Sequence, residues 1–81
     1  LSENDAEVLE IVTNPKSAIV GKKIDKINFP KDAIIGAILR NEEMVVPDRE
    51  TQIEAGDSVI VVALPKSIEK IEQLFGKRRI F

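Results

Sequence analysis

The sequence predicts a small α+β domain in the order strand, helix, strand, strand, strand, helix, built on a mostly antiparallel sheet with two short helices. Three observations carry this. Twenty of the 81 residues are Ile or Val, β-branched types that suit a pleated strand better than a helix. Four short runs rich in these residues are punctuated by Pro, Gly or polar breaks. Two further segments repeat apolar residues at helical spacing. A chain of 81 residues builds one core, and a domain this small buries only about 60% of its unfolded surface, so an oligomer contact would widen a thin stability margin.

The elements follow in order. Residues 1–5 are a polar lead-in or the end of a linker, and a start at Leu1 instead of Met suggests a fragment of a longer protein. Glu7 to Thr13 reads as the first strand and stops at Asn14-Pro15, because proline donates no ladder hydrogen bond and disfavours helix in the residue before it. Ser17 is placed to cap a helix running to Ile27, with Val20, Ile24 and Ile27 on one stripe. Ala33 to Leu39 and Ser58 to Leu64 carry apolar residues on both alternating sets, so each is a strand covered on both faces. Between them Met44 to Val46 forms a hairpin partner across Asn41-Glu42-Glu43, ended by Pro47. After Pro65, the stripe Ile68, Ile71, Leu74 and Phe75 is a closing helix stopped by Gly76, and residues 77–81 are a basic tail. Two helices can roof only one sheet face. A second copy of the chain, packed through the sheet face as a homodimer, is the simplest cover for the other.

Composition removes most catalytic chemistry. With no His, Cys, Trp or Tyr, the chain has no disulfide, no thiolate or imidazole metal site and no Cys or His nucleophile or base. The serines lack a basic partner in any recognised pattern, so no catalytic residue is assigned and the chain is not read as an enzyme. The loop from Asp48 to Glu54 spaces its oxygens like a calcium loop but has Ile53 where the turn glycine belongs and Val59 where the bidentate Glu belongs, so no metal is assigned. A net charge of -2 and only three aromatic residues argue against nucleic acid as a partner, and no apolar run nears the roughly 20 residues that span a membrane. Charge is nonetheless segregated. Lys16 to Lys31 holds five lysines against Asp25, and a helix start there would hold an anion through Ser17, Lys22 and Lys23.

Three stretches together resemble one family: Asn14 to Ile24, then Ala33 to Arg40 with Val45-Val46-Pro47, then Glu54 to Val61. Their order and spacing are similar to those of the TrkA C-terminal domain family, also called RCK_C, over residues 6–76. The resemblance implies a non-enzymatic regulatory and dimerising domain. It would follow a nucleotide-binding Rossmann domain in a cytoplasmic subunit that controls potassium uptake through a membrane transporter subunit of the Trk/Ktr type, peripheral to the inner membrane. The cofactor, NAD or ATP, then belongs to that preceding domain and none to these residues. Some members bind cyclic di-AMP between two copies. By that analogy Ile19 and Val20 would pack against the bases beside Ser17, Lys22 and Lys23. Those members surround the ligand with arginine, asparagine or histidine, whereas this sequence offers Lys22 and Lys23, which counts against cyclic di-AMP. The resemblance also allows the same domain on another ion or carboxylate transporter, or a free-standing small-molecule sensor.

Overall fold

The computed structural model describes residues 5–81, so the first four positions of the expected lead-in lie outside the described residues. Four strands form one sheet: β1 (Glu7–Val12), β2 (Ala33–Arg40), β3 (Glu43–Val45) and β4 (Ser58–Ala63). Their spatial order is β1-β4-β2-β3 and every pairing is antiparallel. The strands form where β-branched residues alternate. Leu9 and Ile11 of β1, Ile38 of β2 and Val59, Val61 and Ala63 of β4 point to one buried face. A bulge at Gly36 shifts the β2 register between Ile35 and Ala37, so Ile35 pairs with Val61 and Ile38 with Val59 on that same inner side.

One α-helix, α1 (Ile68–Phe75), roofs the inner face with Ile71 and Phe75 fully buried. It ends in a Schellman motif. Gly76 takes the left-handed conformation at φ 68°, its N–H donates to the Gln73 carbonyl, and the Lys77 N–H donates to Glu72.

The expected helix from Ser17 to Ile27 does not form. Only a single 3-10 turn, Ile24–Lys26, is present there. Gly21 sits at φ 84°, outside any right-handed helix, and the amides of Gly21, Ile24 and Asp25 bond distant carbonyls and not their own i−4 ones. Gly21 N–H donates to Ile53 O at 2.7 Å, Ile24 N–H to Thr51 O at 2.9 Å, and Asp25 N–H to Arg49 O at 3.1 Å. Residues 21–25 and 49–53 therefore make an irregular antiparallel ribbon. It seats Ile19 and Ile53 in the core, with Ile24, Ile27 and Phe29 packed at its margin, and does the covering expected of a second helix.

The β2–β3 turn places Asn41 and Glu42 at φ 51° and 65°, the double left-handed pattern of a two-residue hairpin. Asn tolerates this; Glu does not. Glu42→Gly is expected to raise stability by about 1 kcal/mol, a gain of roughly 4–8 °C in melting temperature read by calorimetry. An unchanged or lower value would mean that the turn is not strained at Glu42.

Candidate functional site

The sheet face opposite α1 is open. Register aligns Val8, Val62 and Ile34 in one row across β1, β4 and β2, then Glu10, Ile60 and Ala37 in the next. Leu39 and Met44 extend the apolar surface onto β3. Ile34, Met44 and Val8 are 63%, 66% and 60% exposed, while the central Val62 is still 37% exposed. Several large apolar side chains that are contiguous across four strands mark an interaction surface, because scattered exposure would not follow the sheet register. One polar pair interrupts it: Ser58 Oγ donates to Glu10 Oε2 at 2.6 Å.

The residues expected to hold an anion are spread over different environments. Ser17 caps no helix. Its hydroxyl donates to Leu74 O at 2.6 Å and accepts the Ile19 N–H at 3.2 Å, tying the loop after β1 to the end of α1. Ile19 lies in the core at 3% exposure. Val20 is half-buried, Lys22 is exposed, and Lys23 Nζ pairs with Glu50 Oε1 at 3.0 Å across the ribbon. The structure thus keeps Val20, Lys22 and Lys23 on the surface of the ribbon and draws Ile19 inward. In the Asp48–Glu54 loop the Asp48 side chain serves the turn itself, with Oδ1 accepting the Glu50 N–H at 2.8 Å and the Thr51 hydroxyl at 3.2 Å, while Glu50 and Glu54 pair with Lys23 and Arg40. Among the described residues no cluster of acidic side chains is arranged to hold a metal ion.

Sequence reasoning passed over one polar cluster. Asp57, 1% exposed and just before β4, accepts two hydrogen bonds from Arg40 at the end of β2: Nε to Oδ1 at 2.9 Å and an Nη to Oδ2 at 2.8 Å. The Glu54 N–H also donates to Asp57 Oδ2 at 2.8 Å. Arg40 reaches further to Glu54 Oε2 and the Gln52 carbonyl, each at 2.9 Å. The hydrogen bond to Asp57 raises the Arg40 pKa above its ordinary value, against the opposing effect of burial and with help from the nearby Asp57 and Glu54 charges. Each guanidinium nitrogen of Arg40 and both carboxylate oxygens of Asp57 have a partner, so the clamp holds the ribbon to the sheet. The only signal for it was a charge at the end of one apolar run and another just before the next.

No helix among the described residues is long and apolar enough to cross a membrane. Comparison with known proteins places the chain. Residues 8–76 match the model of the TrkA-C domain. The chain is 44% identical over 73 residues to a Trk system potassium uptake protein TrkA homolog of Archaeoglobus fulgidus, covering 90% of this chain and 16% of that protein. It is 39% identical over 70 residues to TrkA homolog 2 of Methanosarcina mazei, covering 86% and 16%. It is 36% identical over 80 residues to the TrkA of Haemophilus influenzae, covering 94% and 18%. The chain therefore spans less than a fifth of the length of these curated relatives. Among solved structures, the RCK_C domain dimer of S. agalactiae BusR in complex with c-di-AMP superposes with a TM-score of 0.77 at 27% identity, covering 88% of this chain and 91% of that one. An RCK domain structure at 24% identity, with a TM-score of 0.70 and covering 83% of this chain and 97% of that one, shares the fold. The chain belongs to the TrkA-C, or RCK_C, domain family, whose members are non-catalytic regulatory modules.

Proposed function

We propose that this chain is the dimerising, ligand-sensing regulatory domain of a longer cytoplasmic subunit that controls potassium uptake through a membrane transporter. The observation that carries the reading is the open sheet face. A sheet with one face roofed by α1 and the ribbon, and the other lined by Val8, Ile34, Ile60, Val62 and Met44, is half of a larger core. A second copy meeting it about a two-fold axis supplies the missing half. The RCK_C dimer of a protein with the same fold supports the pairing of two copies. The TrkA relatives support the potassium system as the setting, and the nucleotide cofactor then belongs to a preceding domain.

The regulatory ligand is read as an anionic cyclic dinucleotide, for which the BusR complex is the support. In this chain the groups available to its phosphates are Lys22 and Lys23 beside Val20. Ser17 and Ile19 stand behind them as framework, the first bonded to Leu74 and the second in the core.

Sedimentation velocity tests the dimer. The parent chain at high micromolar concentration is expected to be dimeric, and Ile34→Glu, which adds a charge to a face that already holds Glu10, is expected to weaken association roughly tenfold or more. A parent that stays monomeric, or a variant that associates as well as the parent, would overturn the sheet-face reading. Thermal shift with cyclic di-AMP and a panel of mononucleotides tests the ligand. Stabilisation by the cyclic dinucleotide that is lost in Lys22→Gln/Lys23→Gln is expected, and a flat panel would remove this ligand class.

A further inference from the structure

The free edge of β1 is occupied by the chain's own last residues. On one side β1 pairs with β4 along all six positions from Glu7 to Val12. On the other, the Ile80 N–H donates to the Glu10 carbonyl at 2.9 Å and the Glu10 N–H donates to the Phe81 carbonyl at 3.4 Å. Arg79 anchors this segment at both ends of its reach. Its guanidinium meets Glu7 Oε1 of β1 at 2.8 Å, and its backbone N–H donates to Glu72 Oε2 of α1 at 2.9 Å. The attachment is slight. Ile80 and Phe81 remain 59% and 80% exposed, and their backbone bonds to β1 both fall on the single residue Glu10. Residues 77–81 also lie beyond the stretch that matches the family model, so the shared fold does not require them.

We propose that residues 79–81 are a detachable strap closing a strand-addition site along the β1 edge, and that the site takes extended segments in which a basic residue precedes apolar ones. The edge of a sheet presents unpaired N–H and C=O groups that template another extended chain, and the strap shows that this edge accepts one. The selectivity is electrostatic. Glu7 of β1 and Glu72 of α1 flank the edge and both bond to Arg79, so an incoming segment needs a cation where Arg79 now sits. The strap meets that need from within the chain and so competes with any outside segment. The hinge is the left-handed Gly76 followed by the exposed Lys77 and Arg78.

Amide hydrogen exchange on the full chain tests this separately from the sheet-face dimer, because it reads the Glu10 N–H at the edge. In Ile80→Pro, which removes the amide that bonds to Glu10, the Glu10 amide is expected to exchange at least roughly tenfold faster than in the parent. The peptide Lys-Arg-Arg-Ile-Phe, added at millimolar concentration, is expected to restore its protection in that variant. It should leave the parent unchanged, and a peptide with Glu in the third position should not restore protection. If Ile80→Pro does not fold, Arg79→Glu, which repels Glu7 without altering the backbone, gives the same reading. Equal Glu10 exchange in parent and variant, or a peptide that fails to slow it, overturns the proposal.

Discussion

Arg40→Ala is expected to cost the domain about 3–5 kcal/mol, a large share of the roughly 5–15 kcal/mol that holds a native domain together. The reason is what it leaves behind. Asp57 is almost wholly buried and receives two of its three hydrogen bonds from the Arg40 guanidinium, so truncation strands a carboxylate with the Glu54 amide alone. Replacing both partners together is expected to cost less than the sum of the single losses, because neither charge is then left unpaired. Urea unfolding of the two single variants and the double variant closes the cycle. A single loss below about 1 kcal/mol would mean that the pair is screened like an exposed surface bridge. The Arg40 pKa is raised in the folded chain, so its contribution is complete below the ordinary arginine value and is lost only as pH rises through the still higher folded value. Any change in stability near neutral pH must therefore come from other groups.

Phe75→Ala is the second large effect, about 3–5 kcal/mol. Phe75 is the largest fully buried side chain, at the end of α1 where the helix meets the core, and its carbonyl accepts the Asn14 N–H at 3.0 Å. Truncation leaves a cavity under a helix of only eight residues, too short to hold its shape without tertiary packing. Phe81→Ala is the control, since an aromatic at 80% exposure is expected to change stability by no more than about 0.5 kcal/mol. Comparable losses from the two would show that α1 does not dock as described.

The strands and α1 were legible because their information is local. The run from Ser58 shows both apolar sets in its own residues, and it proved to bury Val59 and Val61 on one face while Ile60 and Val62 line the other. Pro15, Pro47 and Pro65 marked ends that a ladder could not cross. Residues 17–27 misled for the opposite reason. Val20, Ile24 and Ile27 fit a helical stripe, but their fate was decided by carbonyls of Arg49, Thr51 and Ile53 nearly thirty residues away, a pairing that no periodicity encodes. The expected ligand groups suffered with it, because Ser17 was assigned to a helix start that does not exist. Arg40 and Asp57, 17 positions apart, stayed invisible since the chain between them gives no sign that it folds back.

The strand order β1-β4-β2-β3 also fixes when the sheet can exist during synthesis. Among the described residues β4 is the only strand that bonds to two others of distant sequence, to β1 on one side and β2 on the other. A nascent chain released as far as Val45 can close the β2–β3 hairpin across its two-residue turn, but β1 has no neighbouring strand to pair with until Ala63 has emerged. Assembly is therefore late and abrupt: one strand, arriving near the end, inserts between two waiting ones. In a longer protein made from the N-terminus, any domain placed before this one would already be folded when this one begins to condense.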